Sequence, residues 1–250
     1  MPRQARKKSE SGIYHVILRG INKQVIFEDE QDSLFFIETL LLYKQVCGYQ
    51  VFAYCLMSNH VHLVIKTGQE PLDRIFRRIA GRYSYWYNNK YQRVGHLFQD
   101  RYLSEPVDSD AYLLAVIRYV HQNPLAARMV RDFGEYPYCS FSDYLDDKIE
   151  SLADTEFILG MLGSKAEFIR FHRIANDDKC LEVSDRRFYL TDEQARQRIQ
   201  QVTGCEVATD TQRLDPQTRN RAISELKTLG VSVRQLSRLT GLSKSTIERH

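Results

Sequence analysis

Met57-Ser58-Asn59-His60-Val61-His62-Leu63-Val64-Ile65 is the stretch on which the reading of this chain turns. From His60 onward it is apolar and β-branched, the composition of a strand. Side chains alternate across a strand, so His60 and His62 fall on one face while Val61, Leu63 and Ile65 fall on the other. One face therefore suits a core, and the other holds two imidazoles on a stiff backbone, which is half of a metal site.

Working outward, Tyr49 to Met57 reads as a partner strand, joined through a short Ser58-Asn59 turn. Upstream, Ile13 to Gly20 is a further strand, and Asp29 caps a helix that carries Leu34, Ile37, Leu40 and Leu41 before Gly48 stops it. Downstream, a helix starts after Pro71 and runs through Ile75, Ile79, Tyr83, Trp86 and Tyr87. Tyr102 to Val107 is a fourth strand, and Asp108 or Ser109 caps a helix through Leu113, Leu114, Ile117 and Val120 that Pro124 ends. The order β-α-β-β-α-β-α predicts an α+β, ferredoxin-like split βαβ fold with a four-stranded antiparallel sheet backed by helices. In that topology the first and third strands lie side by side in the centre, so the His60 strand is internal.

The rest of the chain divides less sharply. Residues 1–130 form the sheet domain, 131–190 an accessory α-helical region with short helices around 157–162 and 166–174, and 191–250 a C-terminal domain. In the last, Ala222 to Leu229, Val233 to Thr240 and a segment opening at Ser243 read as helices. The tight Gly241-Leu242 turn gives them the pattern of a helix-turn-helix.

With 43% hydrophobic and 27% charged residues the composition is that of a globular protein, and no apolar window is long enough to span a bilayer. The basic start is not followed by an apolar signal core, so a cytoplasmic location is expected. Five widely spaced cysteines without a C-x-x-C pair argue against a disulfide framework or a zinc ribbon. The net charge is only +3, but its distribution is uneven: residues 70–93 carry six positive charges against two negative, and residues 213–250 eight against three. Residues 141–160 hold six acids and a single lysine, so basic regions suited to a polyanion are separated by an acidic one.

Arg118-Tyr119-Val120-His121-Gln122-Asn123-Pro124 closes the last helix of the sheet domain, and its spacing puts Tyr119 and Asn123 on one helix face. Two neutral imidazoles leave positions open on a bound ion. Nitrogen ligands suit Mn²⁺ at least as well as Mg²⁺. A phenol near its ordinary pKa of about 10 needs such help to act as a nucleophile. Fifteen tyrosines compete for that role. Tyr83, Tyr87 and Tyr91 recur every four residues and read as a packing stripe, Tyr112 is the second choice after Tyr119, and His15 either faces the same side of the sheet as His60 or, the preferred reading, is a buried structural histidine.

Four segments carry a resemblance: Tyr14-His15-Val16 through Arg19-Gly20; Met57 through His62; Gly95-His96-Leu97-Phe98-Gln99 with Arg101-Tyr102; and Arg118-Tyr119-Val120 through Asn123-Pro124-Leu125 with Ala127. In order and content they resemble the REP-associated tyrosine transposases of the His-hydrophobe-His single-strand DNA endonuclease superfamily, over roughly residues 10–145. The resemblance implies that His60 and His62 bind a divalent metal, Mg²⁺ or Mn²⁺, with Asn123 as third ligand, and that Tyr119 is the nucleophile. Single-tyrosine transposases more broadly carry glutamine where Asn123 stands. It also implies cleavage and rejoining of single-stranded DNA near a palindromic hairpin through a 5′-phosphotyrosine link, with Arg19, Arg101 and Arg128 at phosphates. Ser243, Lys244, Thr246 and Arg249 of the C-terminal domain would contact duplex DNA, in a nucleoid-associated protein for which a homodimer is one arrangement. The rival readings are a DNA-binding regulator that has lost cleavage, and a replication initiator or relaxase, although the chain has no G-x-x-x-x-G-K-[ST] loop for a helicase.

Overall fold

The alternation along the His60 strand divides the sheet domain into two layers of core. The computed structural model describes residues 6–146, 151–174, 180–182, 192–205, 207–229, 231 and 233–249, which form two compact units, 1–183 and 184–250. In the first unit strands β1 (Ile13–Arg19), β2 (Gln50–Met57), β3 (His60–Lys66) and β4 (Leu103–Pro106) make an antiparallel sheet in the order β2-β3-β1-β4. The first and third strands are central, as the split βαβ pattern requires.

Helices α1 (Glu30–Cys47) and α2 (Leu72–Lys90) cover one face, packing Phe36, Leu40, Ile75 and Ile79 against Val61, Leu63 and Ile65. Each such buried side chain contributes about 1.5–3 kcal/mol. Helix α3 (Asp110–Ala126) lies on the opposite face, where Leu113, Val116, Ile117 and Val120 share a core with Cys55, Met57 and Val64. The face that carries His60 and His62 is thus the one that α3 covers.

Local signals act as expected at the helix ends. The Asp29 side chain accepts from Asp32 N and the Asp32 carboxylate accepts from the Asp29 amide, while Gly48 closes α1 in the left-handed region at φ 68°. Ser109 caps α3. Pro124 does not end that helix, which continues to Ala126. The ring costs one backbone bond, and Ala127 N still reaches Asn123 O at 2.9 Å.

Residues 131–174, set apart in the sequence, share the first unit's core. The segment around Tyr138 runs along the outer edge of β2: Leu56 N donates to Tyr138 O at 2.9 Å and Ser140 N to Tyr54 O at 3.0 Å, so that edge is paired instead of exposed. Helices α4 (Glu156–Leu162) and α5 (Lys165–His172) follow. His172 of α5 meets His121 of α3 at 2.8 Å, and His121 meets Ser140 at 2.7 Å, a buried chain that ties the accessory helices to α3.

The second unit contains α6 (Asp192–Thr203), α7 (Pro216–Thr228), α8 (Val233–Thr240) and α9 (Lys244–Glu248) around Ile199, Ile223, Leu226, Leu236 and Ile247. Helix α7 starts six residues before the Ala222 expected from sequence, because Asp215 caps Gln217 and Thr218 and the first turns are polar on all sides. No described helix is long and apolar enough to cross a membrane.

Gly20 closes β1 where no side chain fits: a Cβ there would lie 2.3 Å from Gln24 O and 2.8 Å from Ile26 Cγ2. Gly20→Ala should therefore cost about 1–3 kcal/mol and lower the melting temperature by roughly 3–10 °C. Calorimetry that finds no change would show that the loop yields without cost.

Candidate active site

The central pair of strands sets the geometry. In their antiparallel register Arg19 stands opposite His60, Ile17 opposite His62 and His15 opposite Val64, so four polar side chains share the face beneath α3. His60 is half-buried, and its Nδ1 lies 2.7 Å from Asn59 Oδ1. His62 is 2% exposed, and its Nδ1 lies 3.0 Å from Nε2 of the fully buried His15, with the two rings stacked at 5.3 Å. The His60 and His62 rings are 4.9 Å apart.

Burial disfavours the imidazolium form at all three histidines. It holds His15 at about 3 and, with the Arg19 guanidinium adding to the effect, His60 at about 4. His62 is pushed well below 6.5, first by burial and then by its two histidine neighbours. The imidazoles are neutral at pH 7, the state in which a ring nitrogen can donate a lone pair to a metal.

Helix α3 brings Tyr119 to this face. Its ring meets His62 edge-on at 5.7 Å and His15 at 5.9 Å, and it is half-buried. Burial, followed by the charge of Glu182, raises the phenol's pKa above its ordinary value, so ionisation here needs a nearby cation. Asn123, one turn on, donates from its amide nitrogen to Tyr119 O at 2.8 Å. No three described His, Cys, Asp or Glu residues cluster as a metal site. An ion at His60 and His62 therefore needs a neutral oxygen ligand or water to complete its shell, a donor set that suits Mn²⁺ or Mg²⁺.

The competing tyrosines are engaged elsewhere. Tyr112 donates to Glu105 at 2.7 Å; Tyr83 donates to Ile26 O, Tyr87 to Val25 O and Tyr91 to Asp32. The last three are the packing stripe that their spacing suggested. Among the arginines, only Arg19 is placed beside the histidines, by its effect on His60. Arg101 is exposed and lines a cavity of about 440 Å³ with Arg6, Arg77, His96 and Phe98, and Arg128 is exposed in the left-handed region just past α3. In the second unit Ser243, Lys244 and Arg249 are exposed and Thr246 is half-buried, and the Ser243 hydroxyl accepts from Thr246 N as the cap of α9.

Sequence reasoning undervalued two side chains. Asn59 was read as turn residue only, yet it holds His60. His15 was read as structural, yet it touches His62. The period-2 register of β1 was the available signal, since His15 lies on the same face as Arg19.

The sheet and α3 thus place two neutral histidines and a tyrosine on one face. Residues 8–123 match the family model of IS200-like transposases. Among solved structures, the chain is similar to a REP-associated tyrosine transposase bound to a REP hairpin, with a TM-score of 0.51 and 13% identity over 62% of this chain and 96% of that one. A candidate transposase from Deinococcus radiodurans R1 matches with a TM-score of 0.35 and 17% identity over 48% of this chain and 97% of that one. No curated protein shows significant sequence similarity to the chain.

Proposed function

We propose that the first unit cuts and rejoins single-stranded DNA through a covalent 5′-phosphotyrosine at Tyr119, with a divalent ion held by His60, His62 and the Asn123 amide oxygen. The observation that carries this reading is the convergence of Tyr119 and His62, 5.7 Å between ring centroids, on one face of the sheet. The phenol attacks the phosphorus, the O3′–P bond breaks, and the departing strand keeps a 3′-hydroxyl. The phosphodiester energy is conserved in the phosphotyrosine, so another 3′-hydroxyl can reverse the step without a nucleotide cofactor. When bound, the ion would neutralise the phosphate oxygens on which charge develops.

The chain's own residues would do the rest. Arg19 adds positive charge beside His60. The packing of α3 on β2 and β3 holds Tyr119 against the site. All these groups come from one chain, so the reading needs no second subunit. The family model and the hairpin bound by the structural relative favour a DNA hairpin as substrate. Exposed Lys244 at the capped start of α9 and exposed Arg249 at its end support duplex contact by the second unit acting as a helix-turn-helix, in a protein working at the nucleoid.

Labelled single-stranded DNA carrying a hairpin, mixed with the protein and Mn²⁺, should yield an adduct that survives denaturant. Chelation of the metal should cut its formation by at least about 10²-fold. Undiminished adduct in excess chelator would remove the metal from the mechanism, and nicking of an all-RNA analogue at equal rate would redirect the substrate class.

A further inference from the structure

We infer that His15 is a positioning residue that fixes His62 in the one protonation pattern able to bind metal, an inference that rests on the reading of His60 and His62 as ligands. A neutral imidazole has one N–H and one lone pair, and the hydrogen bond made by one nitrogen decides what the other offers. At His60 the outcome is determined. Asn59 Nδ2 donates to Lys23 O at 3.2 Å, which leaves Asn59 Oδ1 as an acceptor, so His60 Nδ1 carries the hydrogen across the 2.7 Å contact and Nε2 is bare.

At His62 the partner is another histidine, and two arrangements satisfy the 3.0 Å contact. If His15 Nε2 donates, His62 Nδ1 accepts and its own hydrogen sits on Nε2, where no lone pair then remains for an ion. If His62 Nδ1 donates, its Nε2 is bare, and His15 carries its hydrogen on Nδ1. Only the second arrangement lets His62 coordinate a metal through Nε2. In it His15 Nε2 is the acceptor for the ligand's other N–H, the role that a carboxylate or carbonyl often fills behind a metal-bound histidine. His15 is fully buried, and its Nδ1 has no hydrogen-bond partner among the described residues. In this arrangement the hydrogen on His15 Nδ1 is buried without an acceptor among the described residues, a cost that the metal bond at His62 Nε2 offsets when the ion is held. The stacking of the two rings at 5.3 Å and 23° limits rotation of His62 away from this contact.

Titration calorimetry with Mn²⁺ on the full chain tests the assignment. His15→Phe keeps a ring and removes the acceptor; Mn²⁺ affinity should fall about 10–100-fold. His15→Gln, which can present an amide oxygen, should recover part of the loss. Nitrogen-15 NMR of the metal-free wild type should already place the hydrogen of His62 on Nδ1, a signature that a purely structural His15 would not require. A folded His15→Phe that binds Mn²⁺ like the wild type, or a His62 with its hydrogen on Nε2 in the metal-free protein, overturns the inference. If His15→Phe fails to fold, the NMR measurement on the wild type and the His15→Gln titration decide it. Loss of the ligand reading itself looks different: the wild type then binds no Mn²⁺, or His60→Ala and His62→Ala bind it unchanged.

Discussion

Tyr119→Phe is expected to abolish the covalent DNA adduct and to lower strand cleavage by at least about 10⁴-fold, since Tyr119 is the phenol that meets His62 and His15. The substitution removes one oxygen and keeps the ring that meets His62 and His15 edge-on, so the fold should survive with a melting temperature within about 2 °C of the wild type. Denaturing gels of labelled oligonucleotide and protein read the adduct directly. Tyr112→Phe is the matched control. Tyr112 is tied to Glu105 at 2.7 Å, so its loss should leave the adduct intact. An adduct that persists in Tyr119→Phe and vanishes in Tyr112→Phe would transfer the role to Tyr112.

The second large effect is acid lability of the metal-free protein. Burial holds His15 at about 3 and His60 and His172 at about 4, while His62 and His121 lie well below 6.5. In the unfolded chain each of these histidines takes up a proton near 6.5. Below that pH the unfolded state binds more protons than the folded one, so stability is greatest above pH 6.5 and declines as pH falls toward the folded values. At pH 5 the loss is on the order of 2 kcal/mol for each of His15, His60 and His172. His62 and His121 act in the same direction, and the total is large against the roughly 5–15 kcal/mol that holds a domain folded. Calorimetry from pH 7.5 to pH 5 without metal should therefore show the first unit's transition fall steeply and disappear before pH 5. A transition that stays within about 3 °C across that range would mean that these histidines protonate inside the fold, and their neutral state in the site would have to be abandoned.

Much of the sheet domain was legible because its signals are local. Asp29 followed by Asp32, a left-handed Gly48 and Ser109 mark helix ends through contacts within one turn, and alternation along His60–Lys66 marks a strand buried on both faces. Pro124 misled because a proline's missing N–H predicts where a backbone bond is lost, and packing of Val120 and neighbouring residues held the helix past it. The segment that lines the edge of β2 was illegible for a related reason, whereas the two short helices after it were read within a few residues. Tyr136, Ser140 and Tyr144 bind backbone atoms of β2 that lie 80 to 92 residues away, and no local pattern encodes an edge filled from that distance. The polar opening of α7 had no apolar stripe to read.

Residue order alone determined that two imidazoles share one side of a strand and that a phenol and an amide share one side of a helix, since both statements follow from the repeat of a single regular backbone. Only the tertiary structure decided that these two surfaces face each other, because α1 and α2 fill the opposite side of the sheet and leave the histidine side to α3. It also decided that His15 reaches His62, a contact created by pairing two strands separated by more than forty residues, where the register of hydrogen bonds between chains of backbone sets who meets whom.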